Sequence, residues 1–359
     1  MGLDQISSDR LRILRFPLIV GVVLVHAYRT EVATASGKIG VAESSAFSNF
    51  VRDFISQGLA RTAVPLFFLM SGYFLFLGFT WSVKKYQEKL RSRTRTLLIP
   101  FLFWNILTLM VYLAAQTLPA VRPFVSGQNN WIETYGPYDY LNAIIGIDQY
   151  PVAYQFWFIR DLMVMVVLSP IVYFSLRALP SLFLAVVFGL WYSQTWPLTI
   201  PDAAAVAFFS AGAAVALRGG SLFALDRYGS AITVAYLVVL VIDVLTKREP
   251  YHIYIHNAGI VLGVASALFL TRAIAVGQSR LKEFLLWAGS LSFFVFAVHE
   301  PMLTIFRKVF YKVLQPKSDL MVLGLYFAIP MLVIAIAILV YQILNRVAPR
   351  FLSVITGGR

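Results

Sequence analysis

Cysteine is missing from all 359 residues, so disulfides, thiolate catalysis and cysteine-based metal sites are excluded outright. Histidine is scarce, with four copies, and only 13% of the chain is charged. There is no glycine-rich Rossmann or P-loop pattern, so basic side chains would have to hold any nucleotide. Internal repeats, low-complexity linkers and an appended soluble domain are also missing. Residues 1–359 therefore read as one integral-membrane domain.

What the chain has in excess is apolar surface. Hydrophobic residues make up 59%, and the mean hydropathy is +0.75. No soluble domain has this composition; it belongs to a polytopic membrane protein. Aromatic residues reach 15%, as expected where rings line both membrane interfaces. A net charge of +13 would suggest nucleic acid in a soluble protein. In a membrane protein it reports basic cytoplasmic loops, so lipids are expected as partners and nucleic acid is not.

Apolar runs of spanning length predict an all-α transmembrane bundle of about ten helices, at roughly 11–29, 61–80, 96–117, 157–176, 181–195, 201–217, 230–246, 256–275, 284–305 and 320–345. The fifth is short. The sixth is rich in small residues from Ala203 to Ala216, which suits close helix packing. The N-terminus, with its basic flank, apolar Phe16–Ala27 and then Ala33-Thr34-Ala35, imitates a cleavable secretory signal. It is read here as the first transmembrane helix. Lys and Arg concentrate on one side of the bundle, above all in Lys84, Lys85, Lys89, Arg91, Arg93 and Arg95 before the third span. The bias predicts that both termini are cytoplasmic.

The chain is organised around the stretch from Asp9 to Arg29. Arg10, Arg12 and Arg15 open its apolar run, and His26 lies in the far half. On a helix Arg15 and His26 share a face about 16 Å apart along the axis. An ionisable residue inside an apolar span is a functional-site hypothesis, and a histidine hydrogen-bonding a neighbouring helix is the plain alternative.

Placing charges by depth yields two clusters. Toward the cytoplasm lie Arg12 and Arg15 and the basic residues around Arg91, Arg93 and Arg95. Basic loops and anionic lipid account for these in general, while a polyphosphate site would want the same convergence of guanidinium groups. Toward the outside, the directions of helices one, four and nine bring His26, Arg160, Asp161, His299 and Glu300 to similar depth. This cluster reads either as a structural ion-pair network or as a proton-transfer site. Glu249, His252 and His256 have spacings that could line one helical face and bind a metal, but interface anchoring accounts for them and no metal is expected. Aromatics of the outer loop 118–156 (Trp131, Tyr135, Tyr138, Tyr140, Tyr150, Tyr154) could stack on sugar rings or form an interfacial belt.

Several motifs occur in a fixed order: Arg15 and His26 with ten residues between them; Val64-Pro-Leu-Phe-Phe-Leu-Met-Ser71-Gly72-Tyr73; Arg93-Thr-Arg95-Thr-Leu-Leu-Ile-Pro100; Phe156-Trp157-Phe158-Ile-Arg160-Asp161-Leu162; and Ser292 through His299-Glu300-Pro301. Together, over nearly the whole chain, they resemble the membrane-bound acyltransferase family 3, whose members O-acylate surface and exported saccharides. Family members often show Arg-x-x-Arg near helix three; here Arg91, Arg93 and Arg95 alternate, which leaves the matching residue open.

The resemblance implies an acyl donor, usually acetyl-coenzyme A, approaching from the cytoplasm onto Arg12, Arg15, Arg91, Arg93 and Arg95. His26, with Arg15 and His299, would carry the chemistry, and Arg160, Asp161, Glu300 and Trp157 would meet the acceptor. His26 would act as general base or carry the acyl group itself; both remain open. Ser71 is a second nucleophile candidate, although Ser-Gly inside a membrane helix also marks close packing. The acceptor would be an exopolysaccharide, O-antigen or lipid-linked sugar at a bacterial cytoplasmic (inner) membrane. Polysaccharide-assembly proteins are expected partners. Some family members carry an extracytoplasmic hydrolase-like domain; without one, any second transfer step would need a separate protein. A secondary transporter of a small polar or saccharide-related solute is the alternative, and a scaffold for polysaccharide assembly the third. Transporters tend to show paired halves with broken helices at mid-membrane; no such symmetry is evident, and the charges cluster at the two faces rather than the midplane.

Overall fold

A computed structural model describes residues 3–34, 37–41, 45–119 and 131–358. Ala35 of the signal-like stretch and residues 120–130 of the long loop lie outside the described residues. Each of the ten apolar runs lies mostly in helix, although the runs to 29, 80 and 195 outlast helices that end at His26, Phe76 and Tyr192. Among the described residues six helices are long and apolar enough to cross a membrane: Ala46–Phe76, Val83–Thr117, Asp226–Leu245, His252–Val276, Arg280–Leu314 and Asp319–Val347. Tyr154–Val167 and Ser169–Ala178 make a seventh span if they are taken together, bent by 58°. Pro170, in the first turn of the second piece, excludes a straight continuation.

Pro180–Tyr192 and Ala203–Leu217 are apolar but shorter. The first run is a single helix, Gln5–His26, whose arginines shorten its apolar part below the roughly 20 residues a bilayer needs. Length and composition therefore support six or seven crossings where the sequence suggests ten. These helices make the chain an integral membrane protein. One small exception to the all-α reading is a ribbon in which Glu31–Thr34 pairs antiparallel with Gly37–Gly40.

The chain divides into two compact units, each assembled from three segments. The first comprises Met1–Val22, Asp53–Thr94 and Asp161–Ser292, and the second Val23–Arg52, Arg95–Arg160 and Phe293–Arg359.

In the first unit the small-residue helix Ala203–Leu217 packs on Ala63–Phe76 at backbone contact. A Cβ on Gly72 would fall 2.0 Å from the Phe209 carbonyl oxygen, and one on Gly212 would fall 1.9 Å from that of Leu69. This closeness is what the small residues allow, and it gives Gly72 a packing role. Arg10 is buried and bidentate to Asp226 (2.6 and 2.9 Å); it also donates to Thr271 and the Leu268 carbonyl and lies over the Phe223 ring. Three elements of the unit are thereby tied to one guanidinium, whose donors are satisfied as burial requires.

In the second unit Leu109, Ile132 and Ala143 form a small core with Tyr112, Tyr135, Ile144 and Val152 around it. Asn105, fully buried, accepts from the Ala153 N–H (3.1 Å), and the Trp104 indole donates to the Ile355 carbonyl (2.9 Å). The first bond holds the segment that leads into Tyr154, and the second ties helix Ile99–Thr117 to the C-terminal helix Pro349–Thr356.

Candidate active site

The site begins with a proline. In helix Arg280–Leu314 the residue before Pro301 is Glu300, whose backbone leaves the helical region (φ −111°, ψ 136°). Proline has no N–H, and its ring disfavours a helical conformation in the residue before it. The carbonyl of Ala297, four residues before Pro301, thus loses its helical donor. Gln155 supplies a replacement: its Nε2 donates to the carbonyls of Ala297 (3.2 Å) and Glu300 (3.1 Å).

His299 sits just before the break and is completely buried. Its Nδ1 lies 2.6 Å from the Phe296 carbonyl. A carbonyl only accepts, so Nδ1 carries a proton. In the neutral ring Nε2 is then a bare lone pair, and it has no hydrogen-bond partner among the described residues. The helix itself therefore selects the tautomer.

Glu300 is buried too. Its Oε1 accepts from the Tyr154 hydroxyl (2.9 Å) and its Oε2 from the backbone N–H of Thr304 (3.3 Å). That N–H belongs to the first turn of the restarted helix, where no intrahelical acceptor is available.

His26 closes helix Gln5–His26. Its carbonyl accepts from Arg307 Nη1 (3.2 Å), a favourable place for a cation because a helix C-terminus is electronegative. The half-buried His26 ring stacks on His299, centroids 5.3 Å apart and planes at 27°. Tyr154 meets the same ring edge-on at 4.9 Å and 78°. Tyr154 is thus shared, its ring against His26 and its hydroxyl on Glu300. All these residues belong to the second unit.

Of the five residues expected to converge, the structure joins His26, His299 and Glu300. Arg160 is buried and donates to the carbonyls of Gly146 and Gln149 (the latter 3.2 Å), which holds that turn. Asp161 falls in the first unit, where its Oδ2 accepts from the Asp202 N–H (2.7 Å); Asp202 in turn caps helix Ala203–Leu217. Trp157 lies half-buried with its ring tilted toward Tyr150 at 6.3 Å. In the long loop Tyr138 donates to Asp148 and Tyr140 to the Ile132 carbonyl (3.1 Å), so both hydroxyls hold the loop together. The bond to Asp148 keeps the Tyr138 phenol above its ordinary range.

Sequence reasoning missed the roles of Tyr154, Gln155 and Arg307. Tyr154 was grouped with an aromatic belt. A signal for Arg307 was present, since a cation inside a long apolar helix calls for a partner.

Arg12, Arg15, Arg91 and Arg93 fall in the first unit and Arg95 in the second. Arg12 makes a 3.7 Å ion pair with Asp9. Among the described residues Arg15, Arg91, Arg93 and Arg95 have no carboxylate partner. Arg91 and Arg93 end helix Val83–Arg93, and Arg95 lies in the π-helical turn Thr94–Leu98 that leads into Ile99–Thr117.

No solved structure matches the chain. It is 28% identical to the succinoglycan biosynthesis protein ExoH of Rhizobium meliloti (strain 1021), across 99% of this chain and 94% of that protein. The family model described as an acyltransferase domain matches residues 8–342, which take in both histidines, the break at Glu300 and every arginine named above. The chain therefore belongs to the acyltransferase 3 family.

Proposed function

We propose that this membrane acyltransferase moves an acyl group, acetyl in the first instance, from cytoplasmic acyl-coenzyme A to a hydroxyl of an exported or surface saccharide. The stacked His26–His299 pair carries the reading. It places an accessible imidazole against a buried one whose tautomer is set by the backbone. His26 is half-buried and keeps some accessible surface to meet an acceptor, whereas His299 is enclosed. In the proposed step His26 takes the proton of the acceptor hydroxyl as its oxygen attacks the thioester carbonyl. The C–S bond breaks, and the leaving coenzyme A thiolate takes the proton back from His26. His299, Tyr154 and Arg307 position that ring.

The saccharide acceptor is supported by the relative named for succinoglycan biosynthesis. The donor is supported by guanidinium groups with no carboxylate partner among the described residues, at Arg15, Arg91, Arg93 and Arg95, and by Arg12, one helical turn before Arg15; such groups suit phosphates. With both termini cytoplasmic, these arginines face the donor's compartment, and the bacterial inner membrane is the proposed location. Polysaccharide-assembly proteins are the proposed partners.

The absence of cysteine makes the test clean. A thiol reagent added to purified protein reports only the coenzyme A released. Acetyl-coenzyme A with exopolysaccharide repeat units should release thiol at a rate that depends on acceptor, with the acyl group found on the sugar by mass spectrometry. No acceptor-dependent release with any of a panel of acyl donors and saccharides would overturn the reading.

A further inference from the structure

The two histidines remote from the proposed active site converge with a buried aspartate. His252 and His256 lie four residues apart at the start of helix His252–Val276, on one face of it. Asp243 lies in the last turn of the preceding helix, Gly229–Leu245. Asp243 Oδ1 is 2.9 Å from His252 Nε2, and its Oδ2 is 3.0 Å from His256 Nδ1. The two imidazole rings stack at 5.6 Å. One ligand atom from each residue lies within 4.8 Å of the others, and Asp243 is only 4% exposed. All three residues belong to the first unit. Spacing along the chain offers Glu249 as the partner of these histidines. Instead Glu249 forms the connecting turn, its N–H bonding the Thr246 carbonyl (2.8 Å) and its carbonyl accepting from His252 N–H (3.0 Å). Asp243 stands beside the two imidazoles in its place.

Two observations distinguish a cation site from an ordinary hydrogen-bonded cluster. First, Oδ1 of Asp243 makes no properly directed hydrogen bond although His252 Nε2 is only 2.9 Å away. Short separation with poor alignment is what lone pairs give when they aim at a shared point rather than at one another. Second, a buried carboxylate in the last turn of a helix stands at the electronegative end of the dipole, where a cation is favoured. Lys247, the nearest basic residue in sequence, is bonded to Asp53.

We propose that Asp243, His252 and His256 bind one first-row divalent cation of the zinc type. Two imidazoles and one carboxylate suit zinc with a water in the fourth position. The partial exposure of both histidines leaves access for that water. The ion would tie the end of one helix to the start of the next across residues 246–251.

The protein should be purified through a histidine-free tag, stripped with chelator and titrated with Zn²⁺ and Co²⁺. One equivalent of zinc per chain is expected, with visible Co²⁺ absorption bands and a melting temperature raised by several degrees. The double variant His252→Gln with His256→Gln should lose at least tenfold in zinc affinity and the thermal shift. Asp243→Asn should lose the affinity as well, and His26→Ala should keep it. Circular dichroism and gel filtration identify any variant that fails to fold; the wild-type stoichiometry and Co²⁺ spectrum then decide. No stoichiometric zinc on the wild type, or undiminished binding in a folded double variant, would overturn the proposal.

Discussion

The His26 ring lies 5.3 Å from that of His299, nearly parallel to it, with Tyr154 closing the edge of His26. The two histidines enter from opposite ends of the chain, one at a helix terminus and one at a helix break. Each break in helical order leaves backbone groups to satisfy, and the residues that satisfy them (Arg307 for His26, Gln155 for the His299 helix) become part of the site.

His26→Ala should lower acyl transfer by about 10²–10⁴, the range of a general base, while helical content and expression persist. His299→Ala should leave a measurable residual rate, because the enclosed ring positions His26 without meeting the acceptor. Thiol release by the two purified variants under one set of conditions checks the order. A lower rate for His299→Ala than for His26→Ala would move the catalytic role to His299.

Tyr154→Phe keeps the ring against His26 but removes the donor to Glu300 Oε1. A buried acceptor left without its partner costs about 1–3 kcal/mol, and more when it is charged. The variant should unfold at lower temperature, and Glu300→Gln in the same background should recover part of the loss. Thermal unfolding in detergent reads this directly; an unchanged midpoint would mean that water replaces the hydroxyl.

Gly72→Ala and Gly212→Ala each place a methyl within about 2 Å of a facing backbone carbonyl, a distance that only movement of a helix can relieve. Overpacking of this kind costs about 1–3 kcal/mol or more. Both variants should give less monodisperse protein. Ser71→Ala should behave as wild type in stability and, if Ser71 only packs, in activity. A large loss of transfer in Ser71→Ala with the fold intact would restore Ser71 as a nucleophile.

Arg93→Ala and Arg95→Ala should each weaken acyl-coenzyme A binding by tenfold or more, as loss of a charge-assisted contact worth about 1.5–3 kcal/mol implies. Lysine should restore only part, since an ammonium lacks the bidentate fork. Added salt should weaken donor binding in the wild type and less steeply in each variant. Unchanged affinity in every variant, titrated in uncharged detergent, would show that these residues only anchor the loop to lipid.

The sequence by itself determined what depends on neighbours along the chain. Apolar runs located the helices, and small residues from Ala203 to Ala216 announced a close approach that Gly72 and Gly212 realise. Motif order established the family. The apolar run carries the ninth helix through 284–305; the break at Glu300, before Pro301, came from the structure. Only the tertiary structure decided which polar groups meet. Arg160 and Asp161 stand in the motif that suggested the family, and each is bonded to loop or helix-start backbone. Tyr154 looked like one belt aromatic among several and became the residue shared between His26 and Glu300. Glu249 looked like a partner of His252 and His256 on spacing, and Asp243 occupies that place from another helix. The physical reason is the same each time: a buried polar atom must find a partner. Helix packing, which brings distant segments together, decides which partner is within reach.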